Sequence, residues 1–291
     1  MKRVSLFGAD FEDSKKIVIY GKYSLTAGMS NPIHMNLLKR IFSVFIVGIF
    51  MFGLLIYVNL LVAPQGIVSD KELHYISYES AVLISKIGSF LFPVNLLSYC
   101  TFLFALFPMF WPKNSLNRQV WTYFPFYFAM GWGGFVSVSY YASAVAFDAY
   151  TMLGFWLQLI VGIAFFFWIV VNSIQNLKRR LNDEEPKPIL KKVVLMTLGM
   201  MILLFLVSLV YHQVNKLPIL WYFYLFGLLL IFLFVAYAYL VAFLINVHIV
   251  QAYYIHKYPM EYKEYLGISD REWYSKRYYK KLIKSGQLEE E

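Results

Sequence analysis

The sequence predicts an all-α fold: a polytopic transmembrane helical bundle of six spans, with cytoplasmic helix extensions and an amphipathic C-terminal helix. Three observations predict it. Of the 291 residues, 60% are hydrophobic and 15% charged, against roughly 25% charge in an ordinary soluble domain. Six long uncharged runs punctuate the chain, and at about 1.5 Å per helical residue each covers the roughly 30 Å of a bilayer's hydrocarbon. The cations are one-sided. With the N-terminus inside, 23 of the 26 Lys and Arg fall on the inner side, and only Lys71, Lys86 and Lys216 fall outside. Cytoplasmic retention of Lys and Arg has this signature. The expected layout is a cytoplasmic N-terminal segment over 1–31, a six-helix transmembrane domain over 32–254 and a cytoplasmic helical tail over 255–291. A multi-pass protein of the cell membrane, with both termini in the cytoplasm, follows from it.

The N-terminal segment lacks the apolar core of a signal peptide. Its one β-like patch, Lys16 to Tyr20 and then Lys22 to Leu25, suggests a small hairpin, which in isolation is marginal in water. Asn31 and Pro32 form a helix start, Asn as N-cap and Pro in the first turn. The first uncharged run, Ile41 to Ala63, is the reference span, and its helix is expected to project inward from residue 32. The outer loop that follows holds His74, Glu79 and, a few residues on, Lys86. His and carboxylates are metal-ligand types, so His74, Glu79, Lys86, Asp148 and His212 form a candidate outer polar site. A solvated charge run explains the same residues without a metal, and neither a metal nor any other cofactor is expected.

The second span, about 88–111, carries Pro93, Asn95 and Pro108. Proline frees a backbone carbonyl, which is tolerated where a neighbouring helix or a water-filled cavity satisfies it. The third span, about 121–147, contains Gly131, Gly133, Gly134 and Ser137. The fourth, about 151–175, contains Gly154, Gln158 and Gly162. Small residues at these spacings let helix backbones approach closely. The two spans are separated only by Asp148–Tyr150, so a tight helical hairpin is expected there. Pro93, Asn95, Gly131, Gly133, Gly134, Ser137 and Gln158 are the candidate pathway or packing residues. The fourth helix is expected to run on to Leu181 before Asp183–Pro188 breaks it. The fifth span covers about 193–211. The sixth, about 217–247, is expected to continue as helix to about residue 254.

In the tail, Pro259 to Tyr265 reads as a short helix stopped by Gly267. Ser269-Asp-Arg-Glu272 reads as a capping box, with Ile268 and Trp273 as its hydrophobic staple. One helix is then expected to reach Ser285, with Gly286 as its stop. Its faces divide into Tyr and Leu against Lys and Arg. Trp273, Lys276, Arg277, Lys280 and Lys281 are the candidate contacts with lipid or a partner protein.

The chemistry excluded is as informative. None of the acidic residues lies in the middle of a span, which argues against a carrier coupled through a midplane carboxylate. A glycine-rich phosphate loop is missing, so the chain is not its own ATPase. The net charge of +9 is accounted for by topology and anionic headgroups, without nucleic acid. Cys100 is the single cysteine, so no intrachain disulfide forms. The expectation is a non-ATPase membrane subunit of a bacterial export or transport assembly. Its partners would be lipids and other subunits, a separate ATPase among them. The rivals are an intramembrane or lipid-modifying enzyme using the outer polar residues, and a scaffold or receptor acting through its tail.

Overall fold

The computed structural model describes residues 4–18, 38, 42, 78–106, 116–214, 227–274 and 276–288. All regular structure among them is helical. The elements are α1 (11–18), α2 (Tyr78–Leu106), α3 (Leu116–Leu181), α4 (Leu190–Val214), α5 (Leu229–Lys257), α6 (Pro259–Leu266), α7 (Asp270–Trp273) and α8 (Lys276–Lys284). The first uncharged run lies outside the described residues apart from Phe42, which is helical and exposed.

Three helical stretches among the described residues are long and apolar enough to cross a membrane: Met152–Leu181, Leu190–Tyr211 and Leu229–Lys257. Their outward faces are oily. Leu153, Ile160 and Phe167 on the first, Ile202 and Val210 on the second, and Phe232 on the third are more than half exposed. Water does not tolerate so continuous an apolar surface; a bilayer does.

Helical hydrogen bonding is continuous across α3, yet α3 is not straight. Phe135 and Phe166 both pack on Tyr237, with ring centroids 4.5 Å and 5.9 Å from it. A straight helix would hold residues 135 and 166 about 46 Å apart, whereas sharing one ring keeps them within about 10 Å. The chain therefore reverses between them, and further contacts locate the bend. Against α5, the first limb runs antiparallel: Ala146 lies at Gly227 and Phe135 at Tyr237. The second limb runs parallel: Gly162 lies at Phe234, Phe166 at Tyr237 and Ser173 at Asn246. Both registers converge on residue 150, where the sequence predicts the hairpin. Tyr150 is buried there, and the Ala149 carbonyl accepts a 2.6 Å bond from Ser208 Oγ of α4.

Beyond the far ends of these helices the chain builds a second core. Leu177 and Leu181 of α3, and Val250, Tyr254 and Ile255 of α5, pack with Leu6, Ala9, Ile17 and Val18 and with Tyr262 and Trp273 of the tail. Two expectations change here. The β-like patch is helical as far as Val18, with residues 19–25 outside the described residues. Asp10 starts that helix as its N-cap, its Oδ1 accepting from the Asp13 N–H at 2.8 Å, and Ile17 and Val18 reach the core from the helix face. The tail helix is also not continuous, since it breaks at Tyr274 between α7 and α8. The expected stops are as read. Gly267 (φ +63°) and Gly286 (φ +67°) close α6 and α8, with paired backbone bonds from Gly267 and Ile268, and from Gly286 and Gln287, to the preceding turn. Asp183 (φ +56°) closes α3 in the same way.

Candidate functional site

The helix registers bring three polar side chains from three helical segments to one depth. Gln158 lies on the second limb of α3, about 12 Å below the turn at 1.5 Å per residue. Ser139 of the first limb is level with Gly162, one helical turn further. Thr197 of α4 comes to that same level, because Ser208 meets Ala149 near the turn while Lys187 meets Asn172 and Asn176 at the other end of the pair. With the uncharged run of the second limb spanning about 151–175, this depth is close to the middle of the apolar layer.

The three share an unusual condition. Gln158 is 0% exposed, and among the described residues neither its amide nitrogen nor its amide oxygen has a hydrogen-bond partner. The buried Oγ of Ser139 and Oγ1 of Thr197 are also without partners among the described residues. Leaving a buried polar group unpaired costs about 1–3 kcal/mol, so such groups are rare in folded proteins and call for a reason. Packing alone supplies none for an amide. Leu or Met has a similar volume and carries no polar atom to leave unpaired.

The small residues beside Gln158 have a structural account. A Cβ on Gly162 would come within 2.6 Å of the Phe234 ring, and one on Gly227 within 2.7 Å of the Tyr150 ring. They are the points where α3 and α5 press together.

A second polar cluster lies at the far end of the same helix pair. Residues Ile245–Gln251 of α5 form a π-helical segment, a form that often marks functional positions. Asn246 donates to Ser173 Oγ at 3.0 Å. The side-chain oxygens of Asn246 and Gln251 and one guanidinium nitrogen of Arg179 are buried without partners. The helix register sets Arg179 level with residue 252.

Next to this cluster, the tyrosines of the second core grip the N-terminal segment by its backbone. Tyr254 donates to the Leu6 carbonyl at 2.6 Å, Tyr253 to that of Phe7 at 3.1 Å, and Tyr258 and Lys257 both to that of Ala9. Tyr262 meets Ser14 Oγ at 2.5 Å, and burial holds its hydroxyl above the ordinary tyrosine range. The amide of Asn182 bonds Val4 N–H at 2.8 Å. On the surface, Lys16 bridges Asp183 and Asp13, which raise its pKa, Asp183 most.

Of the residues singled out from sequence, Gln158 occupies the midlayer level. Pro93 lies inside α2 and is exposed. Asn95, Gly131, Gly133, Gly134 and Ser137 are in α2 and α3, with their side chains outside the description. The outer polar residues are not brought together by what is described. Glu79 and Lys86 are exposed on α2, Asp148 and His212 are in helices without described side chains, and His74 is outside the described residues. Among the described residues no group of three His, Cys, Asp or Glu is placed to hold a metal ion. Trp273 is corrected as a contact residue: it is 4% exposed, inside the chain's own core. Arg277, Lys280 and Lys281 are exposed, and Lys276 begins α8 with its side chain outside the description. Sequence reading passed over Ser139 and Thr197 as polar groups, because a hydroxyl in a span is ordinarily satisfied by its own helix. It passed over the tyrosine grip because the N-terminal helix was read as strand. The spacing Asp10-Phe-Glu-Asp13 was the available cue.

Compared with known proteins, the chain matches no family model, no curated protein and no solved structure.

Proposed function

We propose that the chain is a six-span protein of the bacterial cell membrane, with both termini in the cytoplasm, working as a non-ATPase subunit of an export or transport assembly. The observation that carries this reading is the unpartnered Gln158 amide at midlayer depth, with Ser139 and Thr197 at nearly the same level. Polar groups inside an apolar layer are expensive and tend to mark a route for substrate, and transporter sites cluster near the bilayer midplane. Neutral amide and hydroxyl groups suit a polar, uncharged portion of a cargo better than an ion. The second core supports the assembly half of the reading. It presents a folded, cation-rich base on the side where the positive-inside pattern places the cytoplasm. A separate ATPase would engage that base.

The test is purification of the full chain from native membranes in mild detergent, with identification of the chains that accompany it. A nucleotide-hydrolysing subunit in constant ratio is the expected result. A chain that purifies alone, while Gln158→Leu still supports the host's wild-type phenotype, would overturn the reading. A reporter active only outside the cell, fused after Glu291, should stay silent.

A further inference from the structure

We infer that α8 is a peripheral docking element for anionic lipid headgroups, held at the edge of the bilayer by the chain's own core. Its residues divide between two faces. At about 100° per residue, Arg277, Lys280, Lys281 and Lys284 fall within one arc of roughly 100°, while Tyr279, Leu282 and Ile283 lie opposite. The four cations are exposed and Tyr279 is buried, with Leu282 and Ile283 partly so. Tyr279, Leu282 and Ile283 are thus largely covered by protein, and the outward arc is cationic, with Tyr278 half-exposed at its edge. None of the four cations has an ion-pair partner among the described residues, and the sequence from Lys276 to Lys284 contains no acid.

The placement of α8 selects the occupant. Trp273, three residues before the helix, is locked in the core with Leu177 and Leu181. The uncharged run of α3 ends at about residue 175, so these leucines lie about 3–9 Å past it along the helix. The headgroup layer is roughly 6 Å thick on each side of the hydrocarbon. Long Lys and Arg side chains and a Debye length of about 8 Å close the remaining gap at physiological salt. Lys178, Lys191 and Lys192, all exposed, extend the same cationic rim. A surface rich in phosphates is the complementary partner. Because most of the apolar face is covered by the protein and only Tyr278 is left half-exposed, the attachment is mainly electrostatic and must weaken in salt, unlike that of a helix that inserts its oily side.

This inference rests on the membrane reading, and the experiment separates the two. Full-length chain carrying Cys100→Ser and Ser285→Cys is labelled with a fluorophore at residue 285. It is then incorporated into nanodiscs of phosphatidylcholine, with or without phosphatidylglycerol, that contain a headgroup-nitroxide lipid as quencher. Quenching should be strong only in the anionic discs, should fade in 1 M salt, and should be lost in Lys280→Glu/Lys281→Glu. That variant should keep the wild-type circular dichroism, since its apolar arc is intact. Absent quenching in anionic discs, or equal quenching in both compositions, would overturn the docking role and leave the membrane reading standing. A chain that does not enter discs at all would overturn the membrane reading itself.

Discussion

Replacing Gln158 by Leu should make the protein more stable. The wild-type side chain buries two amide atoms without partners, and relieving a buried unsatisfied group is worth about 1–3 kcal/mol. Leucine is close to Gln in volume and carries no polar atom, so the change opens little space. The net gain should be about 1–3 kcal/mol, or some 2–4 °C in Tm per kcal/mol for a chain of this size class. Two companion substitutions fix the sign. Gln158→Ala also removes the amide but leaves a void, and truncations of that size cost about 2–5 kcal/mol; it should fall at or below wild type. Gln158→Glu places a charge in midlayer, with a penalty of about 2.5–3.5 kcal/mol on insertion scales, and should rank last. The assay is reversible unfolding in mixed micelles, followed by circular dichroism. The order Leu, Gln, Ala, Glu is required. If Leu proves less stable than wild type, the amide has a partner and the functional argument built on its isolation fails. A stabilised Leu variant that has lost transport would instead display the usual conflict between stability and a working polar site.

Four further outcomes follow from the geometry. Gly162→Val should destabilise by about 1–3 kcal/mol, because its branch meets the Phe234 ring in a packed interface; Phe234→Ala should partly rescue it in the same unfolding assay. Tyr262→Phe bears on alkaline stability. Burial keeps the Tyr262 hydroxyl neutral in the folded chain, so the unfolded chain ionises first. Its contribution is complete below pH about 10, the ordinary tyrosine value, and is lost as pH rises beyond it. Wild type should weaken above pH 10 more steeply than the Phe variant, as read by unfolding across pH 8–11. Gly267→Ala forces a side chain into φ +63° and should cost about 1 kcal/mol, visible as earlier proteolysis of the tail. Asn182→Ala removes the bond to Val4 N–H and should speed hydrogen exchange over residues 4–9 while leaving α4 unchanged.

Several features were legible because a local rule decides each of them. Helix ends at Leu181, Gly267 and Gly286 follow from backbone chemistry within a turn of the residue concerned. The hairpin at Asp148–Tyr150 was legible from a single charge between two oily runs, although helical bonding continues through it. The N-terminal helix was misread because Ile17 and Val18 favour strand, whereas an N-cap at Asp10 and burial against α3 and α5 outweigh that preference. The isolation of Gln158 could not be read at all, since having no partner is a property of everything around a residue.

The sequence by itself determined that oily helices alternate with cationic connectors, because hydropathy and charge are properties of short segments and the bilayer sorts them segment by segment. Only the tertiary structure decided which polar side chains share a depth, that Trp273 and the tyrosines serve the chain's own core, and that α8 turns its cationic arc outward. Those outcomes depend on register and on which face meets which, and residues far apart in the chain settle them together.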